Sequence, residues 1–134
     1  MPFNFFHLGL GFCIFFTFWL ISCSTPQKKS PINGNIHHVV ICWLKDPGNL
    51  EHRNKLVEGS QILSEIPGVL SMKAGSVLPS HRNIADSSFD VAIMVSFPNP
   101  EAMNSYLSHP HHKKLVKELV QPLTQKVLVY DFID

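Results

Sequence analysis

Three segments of this chain, HHVVICWL (37–44), DVAIMVSF (90–97) and VLVYDFI (127–133), are apolar in both registers of a strand. In the first, Val39, Ile41 and Trp43 point to one side of a sheet and Val40, Cys42 and Leu44 to the other. Val91, Ile93 and Val95 stand against Ala92 and Met94 in the second; Val127, Val129 and Asp131 stand against Leu128, Tyr130 and Phe132 in the third. A strand packed on one face and wetted on the other alternates apolar with polar residues. These strands do not alternate, so the sheet they build has to be covered on both faces.

The order of elements limits what can cover it. The first strand, residues 37–45, ends in the turn Asp46-Pro47-Gly48. Leu56, Val57, Ser60 and Leu63 then recur at helical spacing between Leu50 and Ile66, and Pro67-Gly68 stops that helix. Val69 to Leu78 reads as a second strand with a kink at Gly75, and the polar stretch PSHRNIADSS as a loop. Asp90 to Phe97 is the third strand. Asn99-Pro100-Glu101 supplies an N-cap, an N1 proline and a first-turn acid for the next helix. Residues 127–133 close the chain as a fourth strand. This is the βαββαβ order of the ferredoxin-like α+β fold, with both helices on one face. Two helices cannot cover two faces, which predicts that the second face meets another copy of the chain in a homodimer.

Charge separates the first residues from the rest. The 134-residue chain has a formal net charge of +1, which gives no nucleic-acid footprint, and every Lys, Arg, Asp and Glu lies from Lys28 onward. The apolar run from Leu8 to Ile21 has the length of a signal-peptide core. It ends in Leu20-Ile21-Ser22-Cys23, which resembles a bacterial lipobox. The expected organisation is therefore a lipoprotein signal peptide over 1–22, a lipidated Cys23 with a polar tether over 23–35, and a domain over 36–134, held extracytoplasmically at the cell envelope. The alternative is an uncleaved N-terminal membrane anchor, which Lys28 and Lys29 would orient with the domain in the cytoplasm. With Cys13 removed and Cys23 acylated, Cys42 is the remaining thiol, and its apolar surroundings predict a buried hydrophobe.

The segment YLSHPHHKKL (106–115) concentrates three of the eight histidines. Pro110 cannot lie within a continuous helix, so one helix ends near Ser108 and another starts at Pro110. On the second, His112 shares a stripe with Leu115, Val116, Leu119 and Leu123, while His111, Lys114 and Glu118 face solvent. His109 stands at the N-terminal edge of that helix, close in angle to His112, where the dipole favours a neutral imidazole. The His109/His112 spacing could give two metal ligands, but the chain lacks a HExxH or paired-cysteine pattern, and no metal is expected. Tyr106 and His112 are equally readable as an ordinary packed aromatic and a hydrogen-bonded core-edge histidine.

The opening HHVVICWLKD, the EIPGV corner (65–69), the YxxHPxH signature from Tyr106 to His112 and the VLVYDF ending resemble the stress-responsive dimeric α/β-barrel (Dabb) family over residues 37–133. The resemblance implies a dimeric α+β barrel. One plant member carries out an aldol-type cyclisation of a linear polyketide with a tyrosine and a histidine of this motif, which fall on Tyr106 and His112; its first-strand histidine falls on His38, and His109 matches the middle histidine. Two functions follow as expectations. The first is an envelope-tethered barrel that binds a small apolar ligand, through His38 and His109 among others, or acts structurally. The second is a cofactor-free lyase or cyclase in which His112 takes a proton beside a carbonyl and Tyr106 donates to the oxyanion. Antibiotic-biosynthesis monooxygenase barrels are a more distant enzymatic likeness.

Overall fold

The computed structural model describes residues 34–134, and the expected export signal, Cys23 and nearly all of the expected tether lie outside them. The chain forms β1 (Ile36–Leu44), α1 (Leu50–Gly59), β2 (Ser71–Ser76), β3 (Val91–Phe97), α2 (Pro100–Ser108), α3 (Pro110–Leu115), the short α4 (Gln121–Leu123) and β4 (Thr124–Ile133). The antiparallel sheet has the order β2-β3-β1-β4, which is the ferredoxin-like arrangement. The start of α2 carries the expected Asn99 cap, and Asn49 caps α1 in the same way. Asn49 Oδ1 accepts from the His52 N–H at 3.0 Å and Asn99 Oδ1 from the Ala102 N–H at 2.8 Å, satisfying donors that the first turn leaves open.

Three local details depart from the sequence reading. The helix expected from Leu50 to Ile66 is α-helical only to Gly59 and tightens into a 3-10 turn over Ser60–Glu65. The Ser60 hydroxyl donates to the Leu56 carbonyl at 2.6 Å, a local bond that competes with the helical ladder. Pairing runs through Gly75, opposite Ala92, without a register shift, and the sheet irregularity falls instead between Trp43 and Leu44 on the β4 side. There the Gln125 side chain donates to the Leu44 carbonyl at 2.8 Å, and β4 begins at Thr124, earlier than expected.

One sheet face makes the core. Ile36, His38, Cys42 and Leu44 of β1 and Val91, Ile93, Val95 and Phe97 of β3 are buried, and Leu56, Leu63, Ile66, Tyr106, Leu115 and Val120 pack with them from the helical side. Burying Leu56 or Leu63 completely stabilises the fold by about 1.5–3 kcal/mol each. The other face has no such cover among the described residues. It presents Val39, Ile41, Trp43 and Met94, all partly buried, with Leu128, Tyr130 and Phe132, which are exposed. The edge strand β4 is exposed along nearly all its length.

Candidate functional site

A cavity of about 350 Å³ lies between the sheet and the helices that follow β3. Val40, Ile93, Val127 and Val129 line it from the sheet, and Leu107, Leu115, Val116 and Val120 from the helices. Its polar groups sit apart from one another along the strands. Thr124 pairs with Leu44 at one end of β1, whereas His38, opposite Asp131, stands near the other end with Tyr106 and His112.

Three elements bring those rings together. The Tyr106 ring, carried by α2, lies 4.8 Å from the His112 ring of α3 and 6.1 Å from the His38 ring of β1, centroid to centroid. Phe97 closes on Tyr106 from the sheet at 4.9 Å. The Pro110 break makes this convergence feasible, because α2 ends at Ser108 and α3 starts afresh, so Tyr106 and His112 need not share one helical periodicity.

The hydrogen bonds fix where protons reside. His112 Nδ1–H donates to the Leu107 carbonyl at 3.1 Å, since a carbonyl can only accept. Burial holds the His112 pKa below its usual value, opposed by the Leu107 bond and assisted by the neighbouring His38 and Lys113. At neutral pH the ring is therefore uncharged, with a lone pair on Nε2. Tyr106 is only 2 % exposed, and burial raises its pKa, so the phenol keeps its proton. Among the described residues no group hydrogen-bonds that hydroxyl, which is not sealed from solvent but opens onto the cavity. The site thus pairs a proton acceptor with an unengaged proton donor.

Asp131 completes the group, and the sequence reading left it unassigned. His38 Nδ1–H donates to Asp131 Oδ1 at 2.6 Å, which sets the tautomer and orientation of a ring that is otherwise buried. A signal was present: Asp131 is an acid in an apolar strand, on the same side as Val127 and Val129. His109 does not line the cavity. It is the N-cap of α3, extended at φ −66° and ψ 141°, and its Nδ1 accepts from the His111 N–H at 3.2 Å. The helical angle that grouped it with His112 starts only at Pro110. His111 is exposed. Cys42 is fully buried, with its thiol pushed up to about 11 by that burial, so it is no nucleophile at neutral pH.

The sequence profile of the Stress responsive A/B Barrel Domain matches residues 36–134. The chain belongs to this family. A curated relative, a stress-response A/B barrel domain-containing protein of Arabidopsis thaliana, is 27 % identical over 117 residues. That match covers 87 % of this chain and 41 % of the Arabidopsis protein, so the chain spans less than half of its relative. Among solved structures, a dimeric ferredoxin-like protein of unknown function from Thermobifida fusca superposes on this A/B barrel domain with a TM-score of 0.63 at 16 % identity, covering 77 % of this chain and 93 % of that one. The hydroxynitrile lyase of Passiflora edulis superposes with a TM-score of 0.65 at 19 % identity, covering 75 % and 94 %. At such identities the likeness is one of fold.

Proposed function

We propose that this A/B barrel domain binds a small, largely apolar ligand whose oxygen accepts from the Tyr106 hydroxyl while the adjoining carbon lies beside the neutral His112 ring. The observation that carries the reading is the unengaged Tyr106 hydroxyl, which opens onto a cavity lined mainly by Val, Leu and Ile side chains, beside a neutral His112. Such a cavity matches the usual ligand site: apolar walls for affinity and a few convergent polar groups for orientation. Methyl octanoate, an apolar tail with one carbonyl oxygen, is a suitable probe. Its affinity is expected to fall about 5- to 10-fold in Tyr106→Phe, the cost of roughly one hydrogen bond, and to stay unchanged in the exposed variant His111→Ala. Equal binding by all three proteins would place the ligand elsewhere.

A second reading, a cofactor-free lyase or cyclase of the aldol type, is supported by the fixed tautomers. His112 Nε2 would remove the proton beside the carbonyl, and the Tyr106 phenol would donate to the oxygen as negative charge develops on it. The Passiflora enzyme supports it by fold alone. Deuterium wash-in at the α-carbon of the bound ester, lost in His112→Ala, separates catalysis from binding.

We further propose that the domain works as a homodimer tethered to the envelope through a lipid on Cys23. The apolar outer sheet face supports the first part, as does the dimeric Thermobifida structure. The lipobox-like sequence ending at Cys23 supports the second. Mass analysis of the membrane-bound protein is expected to find residues 1–22 removed and acyl mass on Cys23, both absent in Cys23→Ser; retention of Met1 would contradict the tether.

A further inference from the structure

A depression of about 400 Å³ adjoins the cavity and shares Leu107, His112, Val116 and Gln121 with it. Its remaining lining residues are Lys113 and Lys117. One helical turn separates these two cations, a like-charge spacing that disfavours the helix. Lys114 has an acidic neighbour in Glu118 at 4.0 Å, but neither Lys113 nor Lys117 has an ion-pair partner among the described residues. The Lys113 charge is felt at the His112 ring. Two uncompensated cations therefore stand where the polar end of an apolar cavity meets its outer depression.

We infer that the ligand of this cavity is an amphipathic carboxylate, its apolar tail among the valines and leucines and its carboxylate at the His112 end, facing Lys113 and Lys117. The inference rests on the ligand-binding reading and adds the charge of the ligand to it. A carboxylate suits the site because one oxygen can accept from the Tyr106 hydroxyl while its net charge answers the two lysines. A cation there would meet two like charges.

Octanoate and methyl octanoate have the same tail and both present a carboxyl-derived oxygen, but only octanoate is charged at neutral pH. Isothermal titration of both against the full-length protein is expected to show octanoate binding roughly five- to tenfold more tightly, the combined effect of two exposed, solvent-screened charge pairs. In Lys113→Gln/Lys117→Gln the preference is expected to vanish while methyl octanoate binds as before; both positions are exposed, so the fold is unaffected. Lys114→Gln, whose cation faces Glu118, is expected to keep the preference. Equal affinities in the wild type, or a preference that survives the double substitution, would overturn the assignment and leave the cavity reading in place. Failure of both probes to bind would remove both.

Discussion

Asp90→Leu is expected to destabilise the domain by about 3–5 kcal/mol, the usual cost of removing one partner from a buried ion pair. Asp90 is 3 % exposed and joins four parts of the fold. One carboxylate oxygen accepts from the Leu44 N–H at 2.9 Å; the other accepts from the Gly48 N–H at 2.9 Å and from Arg53 Nε and Nη2 at 3.1 and 2.8 Å. Its own N–H donates to the Cys42 carbonyl at 2.9 Å. The end of β1, the following turn, α1 and the start of β3 are thereby tied at one carboxylate. A leucine would leave the buried Leu44 N–H without an acceptor and Arg53 without a counter-charge. For a domain of this size the unfolding midpoint should fall by roughly 15 °C or more. Asp90→Asn, which keeps an acceptor but not the charge, should lose less.

Burial alone would raise the Asp90 pKa, but the bonds from Leu44, Gly48 and Arg53 outweigh it and hold the carboxyl below its usual value. A depressed carboxyl pKa stabilises the fold above the unfolded-state pKa of about 3.9, and that stability is lost as pH falls through the lower folded-state value. Acid titration of the wild type should therefore show a loss below about pH 4 that is smaller in Asp90→Leu. A variant within about 1 kcal/mol of wild type, with an unchanged acid limb, would contradict this account.

The second large effect concerns association. Tyr130 is 57 % exposed on the outer face of β4, and Leu128 beside it is exposed as well. Replacing an exposed side chain costs a single chain little, whereas a charge placed inside a dry interface is left without compensation. Leu128→Asp/Tyr130→Asp is accordingly expected to raise the dimer dissociation constant at least about 100-fold, roughly 3 kcal/mol, with the helical core intact. Light scattering of the compact unit Pro31–Asp134 should report twice the chain mass for wild type and the single mass for the variant. A wild-type protein that stays monomeric would leave the apolar outer face unexplained.

Much of this architecture is legible in local sequence, where near neighbours decide the outcome. Asn99-Pro100 and Pro110 set helix starts through capping and proline geometry, and the non-alternating strands announce a sheet with two apolar faces. Long-range pairings are less legible. Asp131 meets His38 only because β1 and β4 pair in one register, across 93 residues, and Asp90 reads as the first residue of a strand until Leu44, Gly48 and Arg53 are seen to converge on it. His109 shows the limit of angular reasoning, since a residue one position outside a helix no longer follows its wheel. The cavity itself depends on how far the helices after β3 stand above β1 and β4, which no single segment encodes.

Most depends on Tyr106 holding the ligand oxygen inside the cavity, with His112 beside the adjoining carbon. A crystal structure of the protein soaked with methyl octanoate tests it most directly. The account predicts density along Val40, Val127 and Val129, with the carbonyl oxygen within about 3 Å of the Tyr106 hydroxyl and the α-carbon on the His112 Nε2 side. An empty cavity in protein that binds the ester, or an ester lying with its oxygen at the Thr124 end, would contradict it.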